Sequence, residues 1–316
     1  MNPPESTASP GPTAGSVLVY DRISANKRGT WVLMLSFVIF ISVLTTIFLI
    51  ALRAPIGLLG FVGIGLIIYA AFSYFSSTSV VLNISGAHEV TKDQEWEFVR
   101  RVENLSIGAG LPMPRTWVME DGAPNAFATG MDPNHSHVVV TRGLLNMMEP
   151  IELEAVLAHE LSHIGNYDIR MTTIATVLVG VVALLSDVFL RFTIFGAGSR
   201  RRGDDDDSGA LGIIMIVVAI ILAILAPIAA AAINLAISRK REYLADASGA
   251  LLSRTPQALA RALEKIRDDQ QPLKEANKAT AQLYFSNPLH DHKSFLNNLF
   301  DTHPPIDERI KLLRAM

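Results

Sequence analysis

The sequence predicts a mainly α-helical membrane protein with four transmembrane helices and an α+β domain that the second transmembrane hairpin interrupts. Half of the 316 residues are hydrophobic and only 18% are Asp, Glu, Lys or Arg, against about 25% charged in an average soluble domain. The apolar surplus is concentrated in four long runs, and mean hydropathy is +0.32. Between and after the runs lie two polar stretches in which helical and strand periodicities alternate. The net charge of −3 lacks the basic footprint of a nucleic-acid binder, so no nucleic-acid partner is expected. With no cysteine in the chain, a disulfide framework and a thiolate-bound metal are excluded, and any metal site must be built from His, Asp and Glu.

Taken in order, residues 1–30 read as a disordered N-terminal tail. The first 16 are mostly Pro, Ser, Gly and Thr, with little to bury. A basic cluster (Arg22, Lys27, Arg28) precedes the first apolar run, Trp31–Leu52. About 20 helical residues cross a hydrocarbon core roughly 30 Å thick, so this run is long enough. No small-residue cleavage pattern follows it, which marks it as retained. A turn at Arg53-Ala54-Pro55 leads to a second run, Ile56–Phe75, giving a hairpin over 31–76.

Residues 77–170 form the first polar stretch. Trp96, Val99 and Val102 recur at helical spacing within Asp93–Ser106. Short β-prone segments follow at Thr116–Met119, Asn125–Thr129 and His137–Thr141, separated by turn residues. A helix then starts at Pro150, with Glu152 and Glu154 at its positive end. The second hairpin occupies 171–237: a run at 171–190, a charged loop at 191–209 holding Arg200–Arg202 and Asp204–Asp207, and a run at 210–237. Residues 238–316 complete the polar domain, with amphipathic helices over 256–270 and 304–315.

The helix from Pro150 carries His159-Glu160-Leu161-Ser162-His163. Residues four apart share a helix face, so both imidazoles can reach one Zn²⁺, which takes nitrogen and oxygen ligands and in catalytic sites keeps a position for water. Glu160 is placed to accept that water's proton. Two ordinary histidines on an exposed helix would give the same spacing. A third ligand is offered after the fourth run, where Glu242 and Asp246 stand four apart. They read either as a metal ligand and a carboxylate that orients a metal-bound histidine, or as a helix salt-bridged through Arg239 and Arg241.

HExxH followed, across an apolar hairpin, by Arg241-Glu242-Tyr243-Leu244-Ala245-Asp246 resembles the HtpX-type membrane zinc proteases, gluzincins related to the CAAX prenyl-protein proteases. Pro124–Gly130, Ala155–Asp168, Asn287-Pro288, Thr302-His303-Pro304-Pro305 and Glu308-Arg309 extend the likeness from the first run to the C-terminus. The resemblance implies an α+β zinc-protease domain with a small β-sheet and one Zn²⁺ per chain held by His159, His163 and Glu242. It makes Glu160 the general base, places His303 near the developing oxyanion, and lays the substrate backbone along an edge strand at Asn125, Ala126, Phe127 and Ala128. Asp246 would support a zinc-bound histidine, and Arg309 would be structural. His88, His135, His137, His290 and His292 complete no ligand set.

For His163 and Glu242 to meet, the intervening runs must return to one side of the membrane. Basic residues favour the cytoplasmic face. Arg22, Lys27, Arg28, Lys92, Arg239, Lys240 and Arg241 lie on the site's side, against Arg53, Arg191 and Arg200–Arg202 opposite. A multi-pass protein of the bacterial inner or plasma membrane with a cytoplasmic active site is therefore expected. Its partners would be the lipid bilayer and unfolded or membrane-protein substrates, and the resemblance implies quality control of misfolded membrane proteins. Processing of a specific or lipid-modified membrane substrate is the alternative within the enzymes. A metal-binding transporter component is the alternative outside them, although within the runs only Asp187 is an acid or base.

Overall fold

The computed structural model describes residues 14–51, 57–178, 239–269, 271, 273, 283–286 and 304–316. Most of the third apolar run, the charged loop, the fourth run, Asn287-Pro288 and His303 lie outside the described residues.

Helix α1 (Ala14–Ala51) and helix α2 (Gly57–Ile84) pack against each other. The expected 1–30 tail is corrected here, because α1 begins at Ala14. Asn26 and Thr30 are buried: their polar side chains find hydrogen bonds inside the protein, which composition alone does not reveal. Among the described residues no helix is long and apolar enough to cross a membrane. Many side chains within 40–51 and 57–73 lie outside the described residues. The described ones include exposed Trp31, Leu35, Ile39, Phe61, Ile64, Ile68, Phe72 and Phe75.

The sheet comprises β1 (His88–Glu89), β2 (Arg115–Met119), β3 (Ala126–Asp132) and β4 (His135–Thr141), in the order β1-β2-β4-β3. β2 and β4 are parallel and the other pairs antiparallel. Three strands fall where alternation and turn residues place them, and β3 stands at the sheet's edge. The β3–β4 hairpin is closed by the Asp132 carboxylate, which accepts from the backbone N–H groups of Asn134 and His135. Ahead of it the ladder shifts register at Gly130, whose φ of +144° suits glycine and where a Cβ would lie 2.3 Å from the His135 carbonyl oxygen.

The helices around the sheet are α3 (Trp96–Ala109), α4 (Arg142–Met147), α5 (Pro150–Gly165), α6 (residues 168–178, to the end of that described stretch), α7 (Arg239–Ser253), α8 (Pro256–Asp268) and α9 (Ile306–Arg314). α5 starts as its sequence dictates, with Pro150 in the first turn and a reciprocal capping box between Glu149 and Glu152. The buried Glu152 carboxylate also accepts from Lys265 and Arg261, which ties α5 to α8. α5 is the central element. Its Val156, Leu157 and Leu161 share one core with Val118, Ala126, Ala128, Val138 and Val140 of the sheet, Phe98 and Val102 of α3, and Leu259 and Leu263 of α8. A second core forms around Met119, Phe127 and Val139, covered by Val81 and Leu82 of α2 and by Leu283 and Tyr284.

Candidate metal centre

α5 holds His159 and His163 on one face, and α7 crosses that face closely enough to bring Glu242 to them. The close approach rests on Gly249, where a Cβ would lie 2.8 Å from the backbone nitrogen of His159. The two histidine Nε2 atoms are 3.1 Å apart. Glu242 Oε2 lies 3.8 Å from the first and Glu242 Oε1 3.6 Å from the second. Ligands about 2.0–2.1 Å from a tetrahedral zinc stand roughly 3.3 Å from one another, so these separations fit the ion. One ligand atom from each of the three residues falls within 4.8 Å of the others. Arg309 of α9 faces both carboxylates of α7, 3.9 Å from Glu242 Oε2 and 2.7 Å from Asp246 Oδ1.

Each histidine is held from behind by a carboxylate. Asp246 Oδ1 lies 3.0 Å from His159 Nδ1, off the line of an ideal hydrogen bond. Buried Arg309 donates to both Asp246 oxygens, at 2.8 and 2.7 Å, and to the Phe285 carbonyl at 3.1 Å. Burial pushes the Asp246 carboxyl up, but Arg309 outweighs it and holds the group down at about 2. Burial lowers His159 to about 4, which keeps its imidazole neutral and able to ligate. His163 meets Asp168 Oδ2 through Nδ1 at 3.1 Å. Burial works against its charged form, yet Asp168 and Glu242 raise it to about 9. Asp168 carries no composition signal and falls one short turn beyond His163. Its role became visible only in three dimensions.

Glu160 is 2% exposed and, with His159, His163 and Glu242, lines a small cavity of about 30 Å³ that Leu283, Tyr284 and Phe285 also line. The profile of peptidase family M48 matches residues 92–316, which hold every one of these groups. The chain belongs to peptidase family M48. Similar M48 relatives are the proteins named protease HtpX homolog of Dictyoglomus thermophilum, 45% identical over 94% of this chain and 94% of that one, and of Lactobacillus helveticus, 43% identical over 95% and 100%. That of Listeria monocytogenes is 44% identical over 95% and 100%. The crystal structure of S. mikatae Ste24p overlaps 80% of this chain and 57% of that one at 19% identity and a TM-score of 0.47.

In this M48 chain the edge strand meets the cavity at one residue. The Thr141 N–H donates to the Asn125 carbonyl, so in an antiparallel ladder residues 125, 127 and 129 face β4 while 126, 128 and 130 turn their backbone groups away from it. At one end the Phe285 N–H donates to the Ala126 carbonyl at 2.7 Å. At the other the Gly130 N–H donates to Thr173 Oγ1 at 3.2 Å. Ala128 lies between them and lines the cavity. The Asn125 side chain donates to the Ser286 carbonyl and accepts from the Ser286 N–H, and the Phe127 ring packs edge-on against Tyr284. The structure thus brings together His159, Glu160, His163, Glu242, Asp246 and Ala128, and sets Asn125 and Phe127 against the 283–286 segment.

Proposed function

We propose that this M48 metalloprotease is a zinc-dependent endopeptidase of a bacterial inner or plasma membrane that cleaves misfolded or damaged membrane proteins. The observation that carries the reading is the convergence of His159, His163 and Glu242 beside buried Glu160. His159, His163 and Glu242 would hold the zinc, which when bound would supply Lewis-acid polarisation and a more acidic water. Glu160 takes the water proton and passes it to the leaving amine. Ala128 presents backbone N–H and C=O groups to an extended substrate. Main-chain pairing of this kind demands little of substrate sequence and favours locally unfolded chains. His303, on the family likeness, belongs near the developing oxyanion. Detergent-solubilised full-length protein should hydrolyse a casein-type unfolded substrate, lose the activity on chelation, and regain it with one equivalent of zinc. Activity that survives complete metal removal would refute the proposal.

The four apolar runs are read as spans, with the catalytic halves on the cytoplasmic side. The exposed apolar side chains of α1 and α2 support this, since soluble surfaces seldom carry such continuous patches. The chain has no cysteine, so Ser208→Cys and Ser253→Cys report topology directly. An impermeant thiol reagent added to intact cells is expected to label position 208 and spare 253. Labelling of 253 alone, or of both, contradicts the orientation.

A further inference from the structure

The segment leading into the first apolar run docks on the turn that follows the HExxH helix. Three positions of α1, Asn26, Lys27 and Gly29, make the contact. Lys27 Nζ lies 4.2 Å from the centre of the Tyr167 ring, and Tyr167 is held at a φ of +61°. Gly29 packs so closely on Met171 that a Cβ would stand 3.3 Å from its methyl carbon. Thr30 is buried and donates to the Asn26 carbonyl at 2.9 Å. Asn26 is itself 7% exposed and spends both amide protons inward, on Asp168 Oδ1 at 2.7 Å and on the Asn166 carbonyl at 2.9 Å. Both partners are acceptors, so the amide has only one workable orientation: flipped, it would set an oxygen against two oxygens.

The opposite oxygen of Asp168 is the one that meets His163 Nδ1. A carboxylate held only at Oδ2 could turn about its Cβ–Cγ bond. With Oδ1 fixed by Asn26, and Arg241 Nη1 3.6 Å from the same oxygen, its plane is set and the imidazole behind it is aimed. We propose that Asn26 is a positioning residue for the metal ligand His163, so that the juxtamembrane turn of α1 completes the metal centre through Asp168. The inference rests on the reading of His159, His163 and Glu242 as zinc ligands. It places a necessary part of the site 66 residues before the region that the family profile matches, by position in the sequence.

The test uses full-length, metal-stripped protein in detergent, titrated with Zn²⁺ against a chelator, and with Co²⁺ to record its visible spectrum. Partners behind metal ligands are worth about 10–100-fold in metal affinity. Asn26→Ala is expected to weaken zinc about tenfold and to alter the Co²⁺ absorption, and Asp168→Ala to weaken zinc by a similar factor or more. In the Asp168→Ala background, Asn26→Ala should add nothing, because its effect travels through that carboxylate. Lys27→Ala, which removes the cation beside the Tyr167 ring, should keep wild-type affinity. If Asn26→Ala fails to fold, Asn26→Gln, which keeps the amide but moves it by one methylene, carries the same comparison. Wild-type affinity in the Asn26 variant, even with lowered thermal stability, would make Asn26 a simple anchor and overturn the proposal. So would multiplicative losses in the double variant. A wild-type protein that binds no zinc would instead defeat the metal reading.

Discussion

Glu160→Gln protein is expected to carry the same zinc as wild type, near one per chain, and to lose proteolysis. General-base catalysis contributes about 10²–10⁴-fold, so turnover should fall at least that far. The substitution keeps side-chain size and leaves His159, His163 and Glu242 in place, so the metal complement has no reason to change. Glu160 is almost fully buried against the ligands, and an amide there cannot accept the proton of an attacking water. The backbone edge at Ala128 is untouched, so unfolded membrane substrates should bind and stay uncut. Mass spectrometry of membrane proteins that accumulate with this variant in cells would identify them. Zinc content by elemental analysis and casein-type hydrolysis are measured on the same preparation. Retention of more than about a tenth of wild-type activity would remove Glu160 as the base.

The parts of this site that are legible in the sequence are those set by local geometry. The two histidines and Glu160 are fixed by helical spacing, and Pro150 with Glu152 marks where their helix begins. Glu242 was legible only through family likeness, because its spacing to Asp246 fits a salt-bridged helix equally well. The arginine that holds both oxygens of Asp246 is Arg309, 63 residues further along the chain. Asn26 and Asp168 are 142 residues apart, and no periodicity announces a single buried amide–carboxylate pair. The same blindness produced the disordered-tail expectation: a polar composition says that little can be buried, not that nothing is. Alternation marks the strands and the family likeness makes Asn125–Ala128 an edge strand, but neither gives the parallel pairing of β2 with β4, because pairing is settled by what packs on the faces.

Glu242→Ala is expected to strip the zinc while leaving the fold standing. Zinc binding by small protein sites is worth about 10–16 kcal/mol, so losing one of three protein ligands should cost roughly 3–5 kcal/mol, an affinity loss of about 10²–10⁴-fold. The burden on the fold is far smaller. Removing a buried partner from an ion pair is usually destabilising because it strands the other charge, but here Arg309 keeps its two short bonds to Asp246 and its bond to the Phe285 carbonyl, and stands 3.9 Å from Glu242. In the metal-free protein, however, Glu242 also stands 3.6 Å from His163 and with Asp168 favours its charged form, so deleting it removes one of the carboxylates that face that buried charge. Metal-stripped variant should therefore unfold somewhat below metal-stripped wild type, whereas zinc should raise the unfolding temperature of the wild type alone, because only it binds the ion in its native state. A Glu242→Ala protein that zinc stabilises as strongly as wild type would show that the third ligand lies elsewhere in the chain.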